Sequence, residues 1–141
     1  MTFEPLTGGC LCGAVRYTLR EPVRDVMHCH CSMCRKAHGA LFVSFGFVPD
    51  DALTFDKGEG NLGDYVSSPG SHRMFCRTCG GQVINRVDRW PDQVFVVLGS
   101  LDAGQSPGHG AGHERHIFWE SRVGWHEPGD NLPKDTEYGE D

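Results

Sequence analysis

Seven cysteines fall in three tight clusters: Cys10-Leu11-Cys12, Cys29-His30-Cys31-Ser32-Met33-Cys34 and Cys76-Arg77-Thr78-Cys79. Spacings of one or two residues suit thiolate capture of a metal ion. The central cluster packs three thiols into six residues. With His28 to Cys31 extended, Cys29 and Cys31 point to one face and His28 and His30 to the other. A turn at Ser32-Met33 then returns Cys34 beside the first two thiols. Three converging sulfurs leave the fourth tetrahedral position unfilled locally. Three protein ligands with one open position is the pattern of catalytic zinc, whereas four protein ligands make a closed structural site.

Glycine divides the seven thiols. Cys12 is followed by Gly13 and Cys79 by Gly80, while Cys34 is followed by Arg35. A glycine at that place permits the positive-φ turn that aims backbone N–H groups at sulfur. The partition this favours is four plus three: Cys10, Cys12, Cys76 and Cys79 close one zinc site, and Cys29, Cys31 and Cys34 hold an unfinished one. A rival partition lends Cys76 or Cys79 to the central cluster, at the expense of both glycine-backed pairs. Ligand type alone does not separate zinc from an iron–sulfur cluster. Nor does it decide whether the central site is open. His28 and His30 are nearest but face away, while His38, His72, His109, His113, His116 and His126 are available to close it from elsewhere. The trio His109, His113 and His116 lies around a glycine-rich stretch with no helix to align it, and is read as incidental to metal binding.

The elements that must position these thiols are short and extended. Ala14 to Arg20 alternates, with Val15, Tyr17 and Leu19 on one face, and reads as a half-buried strand. Val23 to Cys31 leads as a second extended run into the central cluster, and Cys34 to Gly39 reads as one short helical turn. Ala40 to Val48 alternates again. Leu53 to Phe55 and Asp64 to Ser67 are short strands, and Ser71 to Phe75 and Gln82 to Arg86 form the arms of a hairpin around Cys76 to Cys79. Val94 to Leu98, the most apolar short run, is the candidate for a buried central strand. Gly104 to His113 reads as a mobile loop and Arg115 to Glu120 as a last strand. Nineteen glycines, eight prolines and the absence of a long helical pattern predict an all-β fold of short antiparallel strands. Residues 1–127 read as one zinc domain, and 128–141, with five acidic residues and one lysine, as an acidic, solvated C-terminal tail.

The 141-residue chain is long enough for one buried core, and 38% hydrophobic with 23% charged residues suits a globular protein. A formal net charge of -6 without a basic stripe argues against a nucleic-acid partner. No run of 18 apolar residues predicts a membrane span, and no signal peptide is visible. The expected compartment is the reducing cytoplasm, where closely spaced cysteines read as ligands or catalytic thiols and not as disulfides.

Gly8-Gly9-Cys10-Leu11-Cys12-Gly13-Ala14-Val15-Arg16-Tyr17, the central cluster through Arg35-Lys36, and Phe75-Cys76-Arg77-Thr78-Cys79-Gly80 resemble the glutathione-dependent formaldehyde-activating enzyme family, shared with the zinc domain of centromere protein V. Gly99-Ser100-Leu101-Asp102, His116-Ile117 and Leu132-Pro133 fit its later landmarks, and all seven thiols fall on family positions. The resemblance implies a β-tent of the Mss4-like type and two zinc ions per chain. A structural zinc is implied on Cys10, Cys12, Cys76 and Cys79, and a catalytic zinc on Cys29, Cys31 and Cys34, with substrate or water completing it. Residues 104–113, 119–127 and 128–141 depart from the family pattern, which leaves the substrate-contacting rim open.

The activity so implied is that of a carbon–sulfur lyase on a thiol–aldehyde adduct such as S-hydroxymethylglutathione, with a small thiol, glutathione, as partner. Arg35 and Lys36 stand where they could hold its carboxylates, or are ordinary solvated charges. The alternative is a zinc-stabilised binding module of the same fold without catalysis.

Overall fold

A computed structural model describes residues 3–138. The described chain runs β1 (Leu6–Gly9), β2 (Arg16–Leu19), β3 (Val26–Cys29), α1 (Ser32–His38), β4 (Val43–Pro49), β5 (Leu53–Lys57), β6 (Leu62–Ser68), β7 (Ser71–Cys76), β8 (Gln82–Val87), β9 (Gln93–Val97) and β10 (Glu114–Ile117). Short 3-10 turns at Asp50–Ala52, Glu59–Asn61, Leu98–Ser100 and Trp119–Ser121 link them. The strands form a three-stranded sheet ordered β1-β2-β5 and a seven-stranded sheet ordered β10-β3-β4-β9-β8-β7-β6. The all-β expectation holds, and β9 is the middle strand of the larger sheet, as its apolar run predicts.

Alternation drives the sheets together. Val15, Tyr17 and Leu19 are completely buried and meet Val94, Val96, Val83 and Ile84 of the larger sheet in one apolar core. Burying side chains of this size contributes about 1.5–3 kcal/mol each, more than any surface ion pair here. The other face of the larger sheet carries a second cluster, in which Met27, Val43, Phe45, Val97 and Ile117 surround Cys29 and Cys34. Gly46 makes the β4 crossing possible, since a Cβ there would collide with Val23.

Three details depart from expectation. The helix begins at Ser32, two residues before Cys34, because Cys31 serves as its N-cap and accepts from the Cys34 amide. The last strand ends at Ile117 and pairs with β3 in parallel, Glu114 opposite Val26 and Ile117 opposite Cys29. All other strand pairs are antiparallel, so the long return through residues 98–113 is what allows this one exception. Finally, part of the acidic C-terminal segment lies against β10. The His116 amide donates to Pro133 O (2.9 Å), the Asp135 amide to His116 O (2.9 Å), and the Phe118 amide to Glu137 O (3.2 Å). Its charged side chains remain at the surface while its backbone covers the sheet edge.

Among the described residues no helix is long and apolar enough to cross a membrane.

Candidate metal centres

The first centre is built by two turns that end in glycine. Gly13 (φ 80°) follows Cys12, and Gly80 (φ 77°) follows Cys79, both in the left-handed region that glycine adopts without strain. The second turn is closed by Gly80 N donating to Cys76 O (2.8 Å) and Cys76 N to Gly81 O (2.9 Å). Amides then aim at sulfur: Val15 N at Cys10 Sγ (3.2 Å), Thr78 N at Cys76 Sγ (3.4 Å) and Gly81 N at Cys79 Sγ (3.4 Å). The Asn61 side-chain amide also donates to Cys76 Sγ, at 3.4 Å. Sequence reasoning missed Asn61, because a 3-10 turn between two strands gives no sign of where its side chain goes.

The ligand atoms of Cys10, Cys12, Cys76 and Cys79 all lie within 4.8 Å of one another. Cys10 Sγ and Cys12 Sγ are 3.7 Å apart, and Cys12 Sγ and Cys76 Sγ 3.8 Å. Four sulfurs at the usual zinc–sulfur distance on a tetrahedron would be separated by about 3.8 Å. The residues therefore fit a tetrahedral thiolate-bound metal. The Cys79 thiol is drawn down to about 6, first by the Gly81 amide, so this ligand is already disposed to lose its proton.

The second centre lies at the end of β3. Cys29 closes the strand, Cys31 caps α1 and Cys34 lies in its first turn, so a strand and a helix start bring three sulfurs within 4.8 Å. Cys29 and Cys34 are buried, and Cys31 is half-buried. The Cys31 thiol is shifted down by hydrogen bonds from Cys29 and Cys34 and by the Cys34 amide at 3.3 Å. The Cys29 thiol is pushed up by Cys31 and Cys34. Three sulfurs this close together suit a metal ion that takes the place of their protons. Among the described residues, the group contains no fourth cysteine, histidine, aspartate or glutamate.

The histidines nearest in sequence are engaged elsewhere. His28 bonds Ser44 Oγ and Glu114, each at 2.8 Å. His30, only 2% exposed, is joined to His116 by a 2.7 Å bond between Nε2 and Nδ1, and His116 Nε2 reaches Asp130 at 2.9 Å. A carboxylate only accepts, so His116 Nε2 donates to it, leaving its Nδ1 to accept from His30. Burial, with His116 beside it, lowers His30 to about 4 and favours the neutral ring this arrangement needs. Phe42 and Trp119 pack on the pair. His109 bonds Glu114 at 2.7 Å and His113 bonds Asp25 at 2.8 Å, so His109, His113 and His116 do not converge.

The landmark Gly99-Ser100-Leu101-Asp102 works in the fold. The Tyr17 hydroxyl donates to Ser100 Oγ (2.6 Å), which donates to Val97 O (2.7 Å), pinning the small sheet to the large one. A cleft of about 610 Å³ opens beside it, between the first centre and α1, lined by Cys10, Leu11, His38, Gln82 and Val97 among others. His38 Nε2 and Gln82 Oε1, both buried, have no hydrogen-bond partner among the described residues. A second cleft, of about 560 Å³, runs along β10 past Glu114, Asp135 and Glu137 and contains no cysteine.

A β scaffold with one four-thiol and one three-thiol cluster, each able to hold a metal ion, defines a class of small β proteins, and comparison with known proteins narrows it. Residues 5–121 match the family model described as glutathione-dependent formaldehyde-activating enzyme, and the chain belongs to that family. A Halomonas elongata protein provisionally named for the same activity is 30% identical over 105 residues, covering 70% of this chain and 66% of its own. A Phaeosphaeria nodorum protein with the same provisional name is 36% identical over 119 residues, covering 84% and 54% respectively. A Schizosaccharomyces pombe protein named an uncharacterized lyase is 32% identical over 75 residues, 52% of this chain and 51% of that one. The match thus spans between half and two thirds of these relatives' lengths. A Rhodobacter sphaeroides protein of known crystal structure superposes with a TM-score of 0.59 at 28% identity, over 72% of this chain and 91% of that one.

Proposed function

We propose that this chain is a zinc-dependent, carbon–sulfur lyase-like enzyme acting on a thiol–aldehyde adduct such as S-hydroxymethylglutathione. The observation that carries the reading is the contrast between the two sulfur groups: four cysteines in one, and in the other three without a fourth protein donor among the described residues. In this reading Cys10, Cys12, Cys76 and Cys79 hold a structural zinc, while Cys29, Cys31 and Cys34 hold a catalytic one. Bound there, zinc supplies a place where an entering thiol is kept as thiolate.

The chain's own residues do the rest. Cys29 and Cys34, buried among Met27, Val43, Phe45 and Ile117, keep bulk water from the inner side of the centre. The Cys34 amide holds Cys31 Sγ in place. Lys36 is exposed on α1, free to meet a substrate carboxylate, whereas Arg35 Nε is already committed to His30 O at 3.3 Å. Lys36 is therefore the better rim cation of the two. The family name of the relatives supports a glutathione-like thiol as substrate.

The test is turnover and metal content together. Cys31→Ser and Cys34→Ser should each abolish exchange between formaldehyde and S-hydroxymethylglutathione, measured by NMR, while native mass spectrometry shows one zinc retained and the fold intact. A wild-type protein that carries two zinc ions and accelerates no exchange would sink the enzymatic reading and leave a zinc-stabilised binding module.

A further inference from the structure

His30 stands between two of the three thiols of the second centre and is held at three points. Its amide donates to Ile117 O (3.1 Å), its carbonyl accepts from Arg35 Nε (3.3 Å), and its ring Nε2 bonds His116 Nδ1 (2.7 Å). Arg35 belongs to α1, which carries Cys34, whereas His116 and Ile117 belong to β10. The ladder continues outward. His116 Nε2 donates to Asp130 at 2.9 Å, and the Leu132 amide fixes that carboxylate from the other side at 3.1 Å. The segment bearing Asp130 is tied to His116 by main-chain bonds as well, His116 N to Pro133 O and Asp135 N to His116 O, both 2.9 Å. Phe42 and Trp119 close on the His30 ring, with centroids 4.9 and 5.0 Å away.

Asp130 gives this ladder its direction. A carboxylate accepts and never donates, so His116 carries its proton on Nε2 and His30 must donate from its own Nε2. Without an acceptor at 130, His116 is free to take either tautomer, and the bond to His30 loses its fixed sense. His30 shares one short stretch of main chain with both neighbouring thiols. A His30 ring that can swing lets the peptides on either side of it rotate, and the sulfurs of Cys29 and Cys31 rotate with them. Groups that orient ligands without touching the metal govern affinity as well as geometry.

We propose that Asp130, acting through His116 and His30, is a positioning residue for the three-thiol centre. The segment after β10 thereby fixes the Cys29-His30-Cys31 peptide and the placing of two of the three ligand sulfurs. This role presupposes the reading of that centre as a zinc site. It gives a purpose to the buried histidine pair, which the thiols alone leave unused.

The test reads the metal and not turnover. Proteins shown by native mass spectrometry to carry two zinc ions are mixed with a chelator, and release of the more weakly held ion is timed with a chromogenic indicator. Asp130→Ala should release it about 10-fold faster than wild type, with the other zinc and the near-ultraviolet circular dichroism retained. Asp130→Asn, which keeps an acceptor oxygen, should restore the wild-type rate. His30→Phe, which keeps the packing and removes the ring nitrogens, should match Asp130→Ala, and the double variant should be no faster than either. Tyr17→Phe, in the other core cluster, controls for lost stability and should release zinc at the wild-type rate. Cobalt(II) put in place of the released zinc should show altered ligand-field bands in Asp130→Ala and wild-type bands in Asp130→Asn.

Wild-type release and bands in Asp130→Ala would overturn the proposal, as would failure of asparagine to restore them or additive effects of Asp130→Ala and His30→Phe. Equal acceleration by Tyr17→Phe, or loss of both zinc ions together in Asp130→Ala, would overturn it in favour of general loosening. A wild type that holds a single zinc would overturn the zinc reading of the centre and this role with it, a result visible before any variant is made.

Discussion

Asp102 receives Arg16 through two bonds, 2.9 Å to Oδ1 and 2.5 Å to Oδ2, and the Thr7 hydroxyl at 2.7 Å. The Arg16 hydrogen bond, then Thr7, holds this carboxyl down to about 2. Because the folded value lies below the ordinary one near 3.8, the carboxylate stabilises the protein above about pH 4, and that contribution disappears as pH falls toward 2. With both side chains more than a third exposed, solvent screening keeps the effect small. Asp102→Asn should therefore leave stability near neutrality almost unchanged and flatten the acid limb of a pH-denaturation curve between those values. Cys76→Ser sits at the other extreme. With the proposed structural zinc held by four thiolates, losing one of them forfeits a site worth roughly 10 kcal/mol, so the variant should fail to give a cooperative thermal transition by circular dichroism.

The strand that bears Cys29 is held from both sides, by β4 in antiparallel and β10 in parallel register. Its buried histidine ladder ends at Asp130, in the segment that lies on β10. Asp130→Ala would leave the His116 N–H buried without its acceptor, at 1% exposure of that ring, and should destabilise the protein by about 1–3 kcal/mol in urea unfolding. Tyr17→Phe, which cuts only the hydroxyl tie to Ser100, should cost about 1 kcal/mol. Periodicity made some of this legible: Val15, Tyr17 and Leu19 announce their buried face, and Val94 to Val97 the central strand. The glycines after Cys12 and Cys79 announce the four-plus-three division of thiols. Asn61 and Asp130 stay silent, because each acts through a partner brought close only by the packing of turns and a docked segment. Composition marks 128–141 as an acidic, solvated tail, and the backbone bonds of Pro133, Asp135 and Glu137 to β10 and to Phe118 just beyond it leave no trace in residue type.

At the level of the whole molecule, the two sulfur groups have unequal structural duties. Cys10, Cys12, Cys76 and Cys79 join the turn after β1 to the turn after β7, connecting parts of the chain that no strand pairing links directly. Cys29, Cys31 and Cys34 join only the end of β3 to the start of α1. A chelator titration followed by near-ultraviolet circular dichroism should accordingly release one zinc with the spectrum retained, and the second only together with unfolding. Release of both in a single step would contradict this division.

The parallel seam between Val26 and Glu114 also has a consequence for biosynthesis. A nascent chain exposes the three clustered thiols well before β10, the strand that pairs beside them, is made. Until β10 pairs with β3, Cys29 lacks the flank that Ile117 provides, and the thiols are open to ions and oxidants. A metal that entered only after β10 had paired with β3 would find Cys29 already flanked by Ile117.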